Sequence, residues 1–514
     1  MHAQPMPSRV SDPTPSAAAP GSEPALRRLR DLPGPRPWPL VGNALQVRLH
    51  RMHQDLARWA DEHGPLFKVQ LGGFKLLVVS DAELIGQLLR ARPDTFRRPS
   101  RLQAIIREMG IPDGVFVAEG SSWERQRRMV MASFAPQQVR SYFPALLGVA
   151  QRLEARWTAA ARAQRQGGPA IDLQADLMRF TVDAIAGLAF GTEVNTLGSD
   201  GDVIQQHLDK IFPAIWRRSH AVLPYWQWLK LPADRALDES LKAVIEAIRQ
   251  FMTQGRARLT DPARRAAPPN MLEALLVAAD QPGSGMSDDD VAGNVFTMLL
   301  AGEDTTATSL SWMLDLLWRH PQALRRARDE VDRVLGARAS LRDWTPDDLA
   351  QLDWLEACIH ESMRLKPVGP FNVVEALQDT VVGDVGVRRG TPVLLLMRHD
   401  TVREEVFARA DEFLPQRWLP EGRDLAPAHA RKLSMPFGSG PRICPGRFLA
   451  LLEIKLAAAM LLSQFDILSI GTPEGTPPEE HMALTMVPLG LQMRLQPRSR
   501  EGAQANVQVS STDT

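Results

Sequence analysis

Cysteine is nearly absent: Cys358 and Cys444 are the only two in 514 residues. Two thiols cannot build a disulfide framework, and a structural zinc site needs more ligands than they supply. Such scarcity fits a reducing compartment, and a cytoplasmic location is the expectation. An excess of charge of one sign is also missing, because 60 Lys and Arg balance 60 Asp and Glu. Nothing in that total calls for nucleic acid or an anionic membrane as partner. Long apolar runs are lacking too. The longest candidate, VAGNVFTMLLAG at 291–302, falls short of the ~18 residues of a membrane span and is interrupted by Asn294 and Thr297. It reads as a buried core helix. Residues 1–30 mix prolines with Arg9, Asp12, Glu23, Arg27 and Arg28, unlike the apolar stretch of a signal peptide.

What is present is ordinary for a large globular core, with 44% hydrophobic and 23% charged residues. No internal repeat and no long linker divides the chain. Residues 1–28, rich in Pro and Ala, and the polar tail 499–514 are expected to be disordered, leaving one domain over 29–498. Helical periodicity covers 148–165, 172–190, 238–258, 287–319, 321–335, 347–365 and 446–465. LFKVQLGGFKLLVVS (66–80) reads as a hairpin about Gly72-Gly73, and 381–397 repeats that look. The expected class is mainly α, a single large helical domain with small β-sheets.

Ser287 with Asp290 three residues on forms a capping-box pattern, and no breaker follows until His320-Pro321. A helix of about 48 Å is implied at ~1.5 Å per residue. Its middle holds AGEDTT (301–306), where Gly and two Thr each cost up to ~1 kcal/mol against Ala. Two adjacent acids there cost more if buried without partners. Residues 303–306 either face solvent or serve a site.

FGSGPRICPG (437–446) surrounds Cys444 with chemistry that favours a thiolate. Pro445 is placed at the first position of the following amphipathic helix, which sets Cys444 at a helix N-terminus. Arg442 adds positive charge, and Gly438 and Gly440 let backbone N–H groups approach the sulfur. A thiolate can act as nucleophile, redox group or metal ligand; a buried structural cysteine is the alternative and suffices for Cys358.

The loop resembles the haem-binding loop of the cytochrome P450 family, Phe-x-x-Gly-x-Arg-x-Cys-x-Gly, at Phe437, Gly440, Arg442, Cys444 and Gly446. The resemblance spans about residues 30–495. It implies haem b with Cys444 as the axial iron ligand, and the loop residues Phe437, Gly438, Arg442 and Gly446 around it. Trp123 and Arg127 in WERQRR resemble the family's partners of the haem propionates. AGEDTT resembles its oxygen-activation segment, with Asp304 and Thr305 as the acid–alcohol pair and Ala301 and Gly302 leaving room over the haem. Glu361, Arg364 and Arg417 resemble its buried structural triad, although Gln416 stands where the family more often has Glu. HESMR (360–364) is no zinc-protease motif, because Arg stands where the second His is required. Val374 departs further, standing where the family usually offers Arg or His to a propionate, and His399 is the candidate replacement.

The resemblance implies a monooxygenase that places one atom of O2 in a lipophilic substrate. Substrate-lining positions by that resemblance are Ile105, Phe116, Val117, Phe296, Val368 and Phe371, and 216–232 falls at the family's lid. With no flavin or nicotinamide motif visible, electrons are expected from a separate ferredoxin with its reductase or from a diflavin reductase. Arg431, Lys432, Arg442 and Arg447 are the candidate docking contacts. A soluble, bacterial-type monomer without fused reductase is the expectation. A peroxide-driven or O2-independent haem-thiolate enzyme is the alternative within the family, and Asp304-Thr305 argues against it. A non-enzymatic haem sensor or electron carrier is the alternative of another class.

Overall fold

The helix expected after Ser287 runs from Asp288 to Arg319, and its capping box is formed. Asp290 N–H donates to Ser287 Oγ at 3.1 Å, and Ser287 N–H returns to Asp290 Oδ2 at 2.9 Å. The structure, a computed structural model, describes residues 26–198 and 203–498 apart from 222, 337, 339 and 427. Around the long helix pack Leu173–Phe190, Pro232–Arg258, Asp353–Leu365 and Arg447–Gln464. Leu177, Phe180, Leu310, Leu314, Leu355, Leu456 and Met460 join the long helix to the first, third and fourth of these in one buried apolar cluster, while Val244 and Ile248 of Pro232–Arg258 pack in a second. Burying such side chains is the main source of stability, at about 1.5–3 kcal/mol each.

Several boundaries moved. The helix expected at 148–165 begins at Pro136 and runs through Pro144 to Arg165, and the one at 238–258 begins at Pro232. Pro136 and Pro232 occupy the first turn, where a missing N–H costs nothing. The span 347–365 splits into Pro346–Ala350 and Asp353–Leu365, because Thr345 and Asp348 cap a short helix of their own. Met52–His63, Ala82–Arg90, Gly120–Ser133, Ile211–His220 and Met271–Ala279 are further helices that periodicity did not reveal.

The hairpin about Gly72-Gly73 forms as Leu66–Leu71 against Phe74–Val79, with Leu66 opposite Val79. It belongs to a five-stranded sheet completed by Pro392–Leu395, Asn372–Ala376 and Phe96–Arg97. The stretch 381–397 is divided between two sheets. Thr380–Val382 and Val385–Val387 pair about Gly383 (φ +60°), whereas Pro392–Leu395 enters the larger sheet. Arg27–Arg28, placed by expectation in the disordered terminus, pairs in parallel with Val385–Gly386 and is fixed by Arg27–Asp384. Residues 1–25 and 499–514 lie outside the described residues.

Candidate active site

Cys444 lies in the turn that precedes the helix Arg447–Gln464. The helix begins two residues later than expected, with Gly446 as N-cap, so Pro445 precedes the cap instead of filling the first helical position. The loop holds itself together through its backbone: Cys444 N–H donates to the Phe437 carbonyl at 2.9 Å, and Gly438 and Gly440 take left-handed φ of +73° and +74°. A Cβ on Gly440 would meet the Leu89 carbonyl oxygen at 2.7 Å, so only glycine lets the loop close on the helix Ala82–Arg90.

Burial pushes the free Cys444 thiol above its ordinary value, while the Gly446 N–H and the charges of Arg127 and Arg447 pull it down. Burial wins. A metal bound at the sulfur would favour the thiolate, which burial alone disfavours.

Beside the loop stands a cluster of arginines short of anions. Arg442 is buried, bonds the Ala118 carbonyl at 2.9 Å and Glu119 at 2.6 Å, and lies 4.5 Å from the Trp123 ring. Its Nε and Nη1 are buried and have no protein partner. The Nε atoms of Arg92 and Arg98 are in the same condition. Burial, then the charge of Arg442, brings Arg92 down to about 10. Burial, then the charges of Arg92 and Arg442, brings Arg98 down to about 9. Glu119 is the one acid that opposes these shifts. Arg127 Nη2 donates to the Ile443 carbonyl, which ties the helix Gly120–Ser133 to the cysteine loop. Buried guanidinium groups without acceptors are costly, and a carboxylate pair is the ligand whose geometry satisfies them.

The middle of the long helix supplies the opposite wall. Leu449, one turn past the loop, shares an apolar cluster with Phe296, Leu299 and Leu300. Ala301 is exposed and Thr305 half-buried, although most of this helix is buried, so the two positions four residues apart border an open space. Thr305 Oγ1 donates to the Ala301 carbonyl at 2.8 Å. Asp304 is buried; Thr308 Oγ1 donates to its Oδ1 at 3.3 Å and its Oδ2 has no partner. Burial raises its carboxyl, against the pull of the Thr485 and Thr308 hydroxyls. Glu303 is buried as well and raised further, by burial and then by Asp209 and Asp304. The acids therefore do not turn to solvent.

The family profile described as Cytochrome P450 matches residues 32–495. The chain belongs to the cytochrome P450 family. A self-sufficient cytochrome P450 monooxygenase of Oidiodendron maius (strain Zn) is 30% identical over 446 residues, covering 85% of this chain and 39% of that protein. The bifunctional cytochrome P450/NADPH–P450 reductase of Gibberella moniliformis is 29% identical over 489 residues, covering 93% of this chain and 41% of that protein. The chain thus spans about two fifths of the length of these relatives. The crystal structure of the cytochrome P450DA heme domain superposes with a TM-score of 0.78 at 26% identity, covering 93% of this chain and 99% of that one.

A cytochrome P450 binds haem b, and the residues present fit it. The orphaned donors of Arg442, Arg98 and Arg92 suit two propionates, and Cys444 suits the iron. Trp123, Arg127 and Arg442 come together beside the cysteine loop. His399 does not join them. Its Nε2 bonds Asp61 at 3.0 Å and its Nδ1 bonds Asp400 at 2.9 Å, while Val374 is buried in the sheet. Arg92 and Arg98 stand beside Arg442 instead; the signal for them was RARPDTFRRPSR (90–101), with five arginines and one acid.

Gly302 packs closely against a neighbouring helix. A Cβ on it would meet Ile185 at 2.9 Å, so it serves the approach of the helix Leu173–Phe190. Among the proposed substrate positions, Ile105, Val117 and Phe296 share one apolar cluster. Phe371 packs in another, 6.1 Å from Trp216, and Phe116 is capped at 3.7 Å by the Arg98 guanidinium. The Val368 carbonyl accepts from Met486 N–H at 2.8 Å. Of the proposed reductase contacts, Arg442 is withdrawn: it is buried and bound to Glu119.

Glu361, Arg364 and Arg417 form one fully buried group. Glu361 accepts from Arg364 at 2.8 and 2.9 Å, from Arg417 at 3.0 Å and from Trp418 at 2.9 Å. The remaining guanidinium donors go to backbone carbonyls, including Thr401, Ala410 and Leu425. Every charge is paired, which is the condition for burying one.

Proposed function

We propose that this cytochrome P450 is a haem-thiolate monooxygenase that places one atom of O2 in a lipophilic substrate, by hydroxylation or epoxidation. The buried Asp304 carboxyl beside Thr305, on the helix that faces the arginine-flanked Cys444 loop, carries this reading. Bound haem ligated by thiolate supplies O2 activation and oxidation of the substrate. The chain supplies the rest. Cys444 is the ligand, and Arg442, Arg98 and Arg92 hold the propionates. Burial favours the protonated form of the Asp304 carboxyl, and Thr308 donates to it. Thr305, with its hydroxyl hydrogen engaged by the Ala301 carbonyl, presents oxygen lone pairs to the open space. Ile105, Val117 and Phe296 give the space an apolar wall. That wall supports a lipophilic substrate.

Electrons come from an NADPH–P450 reductase. The support is the Gibberella moniliformis relative, a bifunctional cytochrome P450/NADPH–P450 reductase. Among the described residues no helix is long and apolar enough to cross a membrane. The test is reconstitution with hemin and such a reductase, titration with fatty acids, terpenes, steroids and polyketides, and turnover under isotope-labelled O2. One labelled oxygen in the product is expected. Turnover with hydrogen peroxide alone, or a lipophile that binds without product, contradicts the reading.

A further inference from the structure

Residues 111–119 form no helix or strand, yet Ile111, Gly114, Val115, Val117 and Ala118 among them are buried. Irregular backbone in such a place needs partners for its N–H and C=O groups outside any ladder. Side chains from three helices supply them. Val115 N–H donates to Asn294 Oδ1 at 3.1 Å, on the long helix. The Val117 carbonyl accepts from Gln103 Nε2 at 3.1 Å, on the helix Ser100–Glu108. The Asp113 carbonyl accepts from Gln126 Nε2 at 3.2 Å, on the helix Gly120–Ser133. The Val117 and Ala118 N–H groups turn back to the Gly114 carbonyl at 3.0 and 2.9 Å, and the Ala118 carbonyl is the one that Arg442 bonds.

Asn294 anchors this segment. It is fully buried, and beyond accepting from Val115 its Nδ2 donates to Gln126 Oε1 at 2.9 Å and to the Asp290 carbonyl at 2.7 Å. Gln126, buried as well, donates to Asp290 Oδ1 at 2.9 Å. A buried polar network satisfied in this way fixes one arrangement, and loss of a member leaves the others unpaired. Beside it the two backbones meet directly. A Cβ on Gly114 would lie 2.1 Å from the Gly293 carbonyl oxygen, and a Cβ on Gly293 would lie 2.7 Å from the Gly114 nitrogen. Glycine on both sides lets the segment lie against the long helix.

What the segment carries gives the anchor its use. Val117 belongs to the apolar wall with Ile105 and Phe296. Two residues on, Glu119 bonds Arg442 at 2.6 Å and accepts from Arg98 N–H at 3.0 Å. Phe116, between them, lies 3.7 Å from the Arg98 guanidinium. The wall and the propionate arginines thus hang on one short strap. We propose that Asn294 is a positioning residue that holds 112–119 as a unit, so that the fit of a lipophile against Val117 and the grip of Arg442 and Arg98 on haem are set together. The lipophile arm of this proposal rests on the monooxygenase reading; the haem arm does not.

The test follows amide hydrogen exchange over 112–119 in the haem-loaded full chain, with haem transfer to apomyoglobin and spectral titration by fatty acids and terpenes. Asn294→Ala is expected to speed exchange there about tenfold or more. It should also speed haem transfer and weaken lipophile binding, by about threefold to tenfold each. Gly114→Ala, whose Cβ has to push the Gly293 carbonyl away, should move all three in the same direction. Exchange at the parent rate overturns the proposal. So does faster exchange with haem transfer and lipophile binding unchanged, because the anchor would then serve local packing alone. Should both variants fail to fold, the parent decides: a saturating lipophile must slow both exchange over 112–119 and haem transfer, and no change in either refutes the coupling. A parent that binds no lipophile contradicts the monooxygenase reading, while exchange and haem transfer in the variants still judge the strap.

Discussion

A Cβ placed on Gly302 would lie 2.9 Å from Cγ1 of Ile185, one helix away. Next to it the Thr181 hydroxyl donates to the Glu303 carbonyl at 2.6 Å. Glycine at 302 therefore lets two helices close. Gly302→Ala is expected to destabilise by about 1–3 kcal/mol, and Ile185→Ala in the same chain to restore part of that loss. Denaturant unfolding of the two single variants and the double variant checks it. A Gly302→Ala protein of full stability would contradict the packing role.

Arg98 is the residue most in need of a ligand, with burial and two neighbouring guanidinium groups lowering it to about 9. A hydrogen bond to a charged group contributes about 1.5–3 kcal/mol. Arg98→Ala is therefore expected to speed haem loss about tenfold to a hundredfold, measured as transfer to apomyoglobin. Unchanged transfer would assign the propionates to other residues.

Thr305 and Asp304 differ in what their loss should do. Thr305→Ala is expected to lower the product formed per electron used, with hydrogen peroxide released in its place. Asp304→Asn removes a positioned proton donor and should slow turnover by about 10²–10⁴-fold. Full coupling in Thr305→Ala would remove that residue from the proton route.

Local chemistry explains what could be read before the structure. Ser287 and Asp290 bond each other, and the Phe437–Gly446 loop closes through its own backbone, so adjacent residues sufficed to find both. The errors came from partners far along the chain. Nothing near His399 announces that Asp61 holds it away from the cofactor site. Arg92 and Arg98 gain meaning only beside Arg442, about 350 residues on. The helix Gly120–Ser133 was missed because Glu124, Arg125, Arg127 and Arg128 interrupt its apolar period.

Glu453, on the helix that follows Cys444, is buried with Oε1 unpartnered, and burial raises its carboxyl well above the usual range. The unfolded carboxyl releases its proton near pH ~4.3, so above that value the native state holds the extra proton and stability falls as pH rises. Glu453→Gln removes the dependence. Its melting temperature is expected to match that of the parent near pH ~4 and to exceed it increasingly towards neutrality. A constant difference across that range would show that Glu453 does not titrate late.

The most direct measurement is the carbon monoxide difference spectrum of the dithionite-reduced, hemin-loaded protein. With Cys444 as ligand, the parent shows the red-shifted Soret band of a thiolate adduct, and Cys444→Ser loses it while Cys358→Ser keeps it. The same band in Cys444→Ser, or its absence from the parent, would contradict ligation by this sulfur.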